Sequence, residues 1–279
     1  MLGAKGDGVS DDWAALQAAV DQHPVVYLPK GFYRMSQPLV MRKDGGALVG
    51  VGRTLCHLMP LSDPDRAPPR RPTPVLDVVA KGVTIGMLTV VTWDHLPGFA
   101  VSWSGTGIWR QTFYNRVQES SFPPFGRAVD PLRPALHPGT PFGIPLMHMR
   151  GGGAFYDLNL DFGCCFGTAL PPPSVPVQPD TASSGEVWLQ LPSYRSLLVN
   201  GSTAGVRFYP LNLEQDFGEA HTEIRYSFNV TAYGAKSENN YVVVWIRDSD
   251  LVTVHGYGGN ASPFRNKTVR HFPAQFPPF

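Results

Sequence analysis

Between His221 and His255 the chain gathers side chains that bind or move charge: His221, Glu223, Arg225, Lys236, Glu238, Arg247, Asp248, Asp250 and His255. A carboxylate in such a group serves as general acid or base, and a guanidinium or ammonium beside it binds an anionic group. Lys236-Ser237-Glu238 follows a strand and the bend at Gly234, which puts it on a loop edge. Glu238, Lys236, Arg247 and Asp248 are therefore the candidate catalytic residues. Arg225, Glu223, His221 and Trp245 are the candidate substrate-binding residues, since an indole offers a large apolar face beside the charged groups. A plainer reading stands beside this one, in which the same residues form an intercoil Arg–carboxylate ladder and solvated turns.

Asp157 and Asp161 flank two leucines in FYDLNLDF, and their spacing of four puts them on one face of an extended strand. At about 13 Å apart they are too far separated for a glycosidase pair, unless the chain bends or either meets a carboxylate on another coil. Most tryptophans on strands fill cores, so Trp93, Trp103, Trp109 and Trp188 are weak sugar platforms.

These residues are positioned by a repeat. Residues 224–234, IRYSFNVTAYG, align without gaps on 246–256, IRDSDLVTVHG, with six identities in eleven positions at an offset of 22. A period of that size suits one solenoid coil stacked on the next, and it sets Arg225 directly under Arg247. Two guanidiniums in register repel unless Glu223, Asp248 or an anionic ligand lies between them. Short apolar runs such as VVYLP (25–29), VLDVV (75–79), FYDLNLDF (155–162), EVWLQL (186–191) and YVVVWI (241–246) read as the strands of such coils. Only SDDWAALQAAVD reads as helix, with Ser10 as N-cap and Trp13, Leu16 and Val20 on one face. Proline-rich stretches at 60–74, 122–145 and 170–182 read as loops between coils, because proline cannot join a central ladder.

Composition agrees. Glycine (29) and proline (28) exclude a helical bundle, while 43% hydrophobic residues exclude a disordered chain. A net charge of +1 gives no basis for nucleic-acid binding, and no apolar run is long enough to cross a membrane. The three cysteines, two of them adjacent at 164 and 165, make no disulfide framework and read as buried thiols. Sequons at Asn200, Asn229, Asn260 and Asn266 lean towards an extracellular or cell-surface protein, although the N-terminus has no signal peptide.

The opening AKGDGVSDDWAALQAAVD, followed by VVYLPKGFYRMSQPLVMRKDGGALVGVG, resembles the start of the pectate-lyase superfamily. The resemblance rests on Gly6-Asp7-Gly8, Ser10-Asp11-Asp12, Tyr27-Leu28-Pro29, Gly31, Tyr33 and Gly50-Val51-Gly52. It implies an all-β fold: a single-stranded right-handed parallel β-helix with an N-terminal capping α-helix. One domain over residues 1–279 is expected, with 1–24 as the capping segment and the late coils cut short. The implied function is carbohydrate-active, a lyase or glycosidase cleaving an extracellular polysaccharide; the alternative is a non-catalytic polysaccharide-binding or structural module. The aspartate motifs of the polygalacturonase-type members are absent. A calcium-dependent lyase needs an acidic cluster plus a basic residue, a pattern partly present, so Ca2+ is the one cofactor left open and no metal ligands are assigned. A polysaccharide is the expected partner, and the oligomeric state is not indicated.

Overall fold

The computed structural model describes residues 3–61, 73–93, 98–117, 145–161, 195–214, 220–237 and 243–259. Every strand pair in it is parallel, and pairing joins each coil to the next rather than strands within a coil. The molecule is a parallel β-helix with two sheets. A seven-stranded sheet stacks Leu39–Met41, Thr73–Val78, Gly98–Trp103, Met147–Met149, Leu197–Asn200, Thr222–Arg225 and Val244–Arg247. A twelve-stranded sheet carries the longer strands Thr106–Val117, Gly152–Asp161, Val206–Glu214, Phe228–Ser237 and Asp250–Gly258, together with the shorter strands of the first coils.

The 22-residue offset is a true register: Ile224 pairs with Ile246, Arg225 with Arg247, Val230 with Val252 and Thr231 with Thr253. Each of these coils turns at three positive-φ positions, Tyr226/Asp248 (50° and 45°), Asn229/Leu251 (62° and 51°) and Gly234/Gly256 (61° and 70°). Asp157, at φ 53°, occupies the equivalent bend two coils earlier, below which lie Gln111 and Met87. The chain does bend there. Leu158 and Leu160 turn inward, while Asp157 meets Arg53 from another coil at 3.1 Å.

Alternation along each strand fills the interior. Trp103, Trp109, Phe155 and Phe208 stack through the middle with centroid separations of 4.8, 6.2 and 5.3 Å. Both tryptophans are fully buried, which removes them as sugar platforms.

The helix runs Trp13–Gln22 and presses Leu16 and Val20 into the first coils. Its N-cap is Asp12, not Ser10, which lies in the strand Asp7–Asp11. The two aspartates have different tasks. Asp11 Oδ1 accepts from the amides of Trp13 and Ser36, while the buried Asp12 carboxylate accepts from Lys5 N and Gly6 N and ties the entering chain down. Ser10 is instead bound, through both amide and hydroxyl, by Asp7. These hydrogen bonds hold the Asp7 carboxyl down at about 2.

At the corner from the seven-stranded to the twelve-stranded sheet, coils approach too closely for side chains. A Cβ on Gly151 would stand 1.7 Å from Gly105 O, and one on Gly107 would stand 1.9 Å from Val83 O. Gly151→Ala is therefore expected to cost more than about 3 kcal/mol, because backbone must move. Gly201→Ala, at φ 75° with open space around it, is expected to cost only about 1 kcal/mol. Urea denaturation of the two variants checks the contrast.

Candidate functional site

On the seven-stranded sheet, residues flanking each position alternate between core and outside. Leu76, Val78, Val101, Trp103, Met147, Met149, Leu197, Val199 and Ile224 all enter the core. Outward, the register aligns Asp77, Ser102, His148, Leu198, Glu223 and Trp245 in one column along the solenoid axis. Beside it run Arg150, Asn200, Arg225 and Arg247, the first immediately after Met149. This outer face brings acid, base and cations together.

Its late half is built on Glu223, a carboxylate only 4% exposed. Three guanidiniums close on it: Arg195 Nε at 3.0 Å, Arg247 Nη2 at 2.6 Å and Arg225 Nη1 at 3.5 Å. Two of them lie over the Trp245 ring, with the Arg195 and Arg247 guanidinium carbons 5.2 and 4.6 Å from its centroid. A carboxylate so buried is stable only if paired, and here the pairing also separates the stacked arginines.

The early half has Asp77, Ser102 and His148 on consecutive rungs, about 4.8 Å apart each. Burial pushes the Asp77 carboxyl up, against a hydrogen bond from Ser102 and the charge of Arg150. Burial first, then the charges of Arg150 and Arg225, press the His148 imidazole down to about 4. Arg150 Nε donates to His148 Nε2 at 3.5 Å, which leaves the proton of the neutral ring on Nδ1. The site thus holds a neutral imidazole among cations.

Of the residues expected from sequence, Arg225, Glu223, Arg247 and Trp245 come together here. His221 is fully buried with its Nδ1 against Ser237 Oγ, so it presents no ring to a surface ligand. Lys236 lies on the other sheet, opposite Asn212 and Gly258. Asp248 is an exposed bend residue directly after Arg247. Glu238 lies outside the described residues, as do Trp188, Cys164 and Cys165, the strand at 186–191, and the sequons at Asn260 and Asn266. Of the remaining sequon asparagines, Asn200 sits in the arginine column, and Asn229 Oδ1 accepts from Arg207 Nη2 at 2.7 Å. Sequence reasoning missed Asp77, Ser102, His148, Arg150 and Arg195. The alternation in LMHMRGGG was the available signal for two of them.

Among the described residues no group of three His, Cys, Asp or Glu side chains is placed to hold a metal ion. No helix among them is long and apolar enough to cross a membrane.

Residues 1–59 match the family described as rhamnogalacturonase A/epimerase, pectate lyase-like. Mannuronan C5-epimerase AlgE4 of Azotobacter vinelandii is 46% identical over 75 residues, 22% of this chain and 14% of that protein. AlgE3 from the same organism is 45% identical over 75 residues, 22% of this chain and 4% of that protein. The chain therefore spans a small part of the curated relatives it matches. Among solved structures, the pre-mature gene product 12 of bacteriophage phi29 superposes with a TM-score of 0.54 at 12% identity, over 93% of this chain and 32% of that one, a likeness of fold.

Two outcomes follow from the electrostatics. Glu223→Gln removes the carboxylate that the buried Arg195 and the partly exposed Arg225 and Arg247 share and is expected to lower stability by about 3 kcal/mol, read from the denaturation midpoint. His57, like His148, is pressed to about 4 by burial, whereas the unfolded chain takes up protons near 6.5. Depressed histidines contribute stability that is complete above the unfolded value and lost as pH falls towards the folded one. Urea midpoints should therefore fall between pH 6.5 and 4, and His57→Gln should flatten that fall.

Proposed function

The chain is a pectate-lyase-like parallel β-helix, and from that premise we propose that it acts on an extracellular uronate-containing polysaccharide by removing the proton α to a carboxylate. The observation that carries this reading is His148, a neutral imidazole flanked by Arg150 and within the field of Arg225. Arg150 turns from His148 Nε2 to the uronate carboxylate and stabilises the charge that develops there, and the Nε2 lone pair so released takes the proton from the carbon. The electron pair then expels the glycosidic oxygen on the neighbouring carbon, which is β-elimination. If instead a proton returns from the other face, the result is epimerisation. Ser102, one rung away and hydrogen-bonded to Asp77, is the adjacent proton-carrying group. Hydrolysis receives less support: Asp77 and Glu223, the two carboxylates of the column, are four rungs or about 19 Å apart, well beyond a glycosidase pair.

Binding without reaction is the second reading. It is favoured by the arginine column, which continues three rungs past Arg150 to Arg247, well beyond the acid–base groups.

An imidazole at about 4 is a poor base until the substrate arrives. A carboxylate seated on Arg150 cancels part of the field that depresses it, so the base strengthens in the complex. The pH profile should show this: kcat/KM, reporting the free protein, rises through an apparent pKa near 4, and kcat rises through a higher one. His148→Gln is expected to reduce product formation at least 100-fold on uronans, followed by ultraviolet absorbance of unsaturated ends and by deuterium incorporation from heavy water. Retained binding with silence on both signals would establish the binding-only role.

A further inference from the structure

One rung past Arg150 the column of cations is interrupted. Continuing the register beyond Met149 and Val199 sets Arg150 beside Asn200, and Arg225 and Arg247 follow on the next two coils. Four consecutive rungs thus present Arg, Asn, Arg and Arg. Rungs are about 4.8 Å apart, which places Arg225 about 10 Å along the solenoid axis from Arg150. In the neighbouring column the Asn200 coil carries Leu198, so that rung offers an amide and an apolar side chain but no cation. Arg225 reaches Glu223 through Nη1 and Arg247 through Nη2, and the other Nη group of each has no partner among the described residues. Both side chains reach solvent, at 31% and 39% exposure, and Arg247 is further oriented by lying over the Trp245 ring. Two donor groups on adjacent rungs match the two oxygens of one carboxylate.

We infer that Arg225, with Arg247 beside it, is a distal clamp for a single carboxylate of the polymer, that of the second residue beyond the one at His148. The residue between passes over Asn200 without an ion pair. An extended chain of 1,4-linked pyranoses advances by about one rung per residue. In a two-fold chain successive residues turn opposite edges to the surface they lie on. Alternate carboxylates therefore face the sheet two rungs apart, as Arg150 and Arg225 stand. The intermediate carboxylate faces away, and a guanidinium on the Asn200 rung would have nothing to meet. An amide, which both donates and accepts, suits the hydroxyls of that residue instead. The clamp rests on the proposed function in laying a uronan along this face, but not on the reaction at His148. It makes Arg225 and Asn200 determinants of specificity: charge is read on alternate residues, and esterification of the residue between them is tolerated.

The test is isothermal titration of the full chain with uronate trisaccharides, either fully charged or carrying a methyl ester at one residue. Esterifying the middle residue should change the affinity by less than about twofold, whereas esterifying either end should weaken it by about fivefold. Arg225→Gln should weaken the fully charged trisaccharide by about fivefold and erase the penalty at one end only. The end so affected fixes the direction in which the chain lies. Equal penalties at all three residues, or penalties at both ends that survive Arg225→Gln, overturn the clamp. Should the variant fail to fold, the ester series on the unaltered protein decides, because a middle penalty as large as those at the ends overturns the clamp without it. A trisaccharide that does not bind overturns it as well. Product formation on uronans with a flat ester series would remove the clamp and leave the His148 reading standing. An intact ester series with silence of the product assays would remove the proton abstraction and leave the clamp.

Discussion

In this fold the backbone ladders run along the solenoid axis, so every residue has as its nearest neighbours the same position of the coils above and below, about 4.8 Å away. That single spacing determines what each column can contain. Apolar positions benefit, as in the run from Trp103 to Phe208. The outer face of the twelve-stranded sheet repeats the pattern with Tyr156, Tyr209, Tyr233 and His255, whose rings lie 5.2, 4.8 and 4.9 Å apart and within 16° of parallel. Those rings spend their faces on one another and offer solvent mainly their edges. An aromatic ladder of this kind is a structural device more than a stacking platform for sugars, although it sits on an exposed face.

The same spacing is unfavourable for charge. Arg225 under Arg247 would repel across one rung, and the molecule meets this with a buried glutamate one column over. The cation–π contacts with Trp245 orient two of the guanidiniums without adding negative charge. On the early half Arg150 faces the Asp77 carboxyl, which burial pushes up, and its field also falls on His148. Stacking, desolvation and cation crowding thus produce a neutral histidine and a row of directed guanidiniums from one geometric constraint.

How far this was legible depended on the insertions. Between the last two coils the connection is short, so the offset of 22 survived in sequence and placed Arg225, Glu223, Trp245 and Arg247 together. Down the outer column the intervals from Asp77 to Ser102, His148, Leu198 and Glu223 are 25, 46, 50 and 25 residues, and no periodicity search would join them. His148 is visible only once hydrogen-bond register replaces sequence spacing. His221 failed for the converse reason: a histidine beside a strand start has no sequence mark telling inward from outward, and Ser237, its partner, lies on the other sheet. At the N-terminus the motif was read correctly as a helix start, but the cap shifted by two residues because Asp7 binds Ser10 more directly than the helix does.

The insertions themselves obey the packing. From the seven-stranded to the twelve-stranded sheet the connections hold two residues after Trp103, Met149, Arg225 and Arg247, and five after Asn200. In the other direction they hold 29 residues after Val117, 35 after Asp161, 7 after Glu214 and 6 after Ser237. Where Gly105, Gly107 and Gly151 bring backbone against backbone, the first corner is held to two residues. Most of the variation in the length of these coils therefore falls at the second corner, where each insertion leads into a strand of the seven-stranded sheet. That sheet bears His148, Arg150, Arg225 and Arg247 on its outer face. A fold with one closed corner and one open corner can change the sequences leading to its charged face without disturbing the register that builds it.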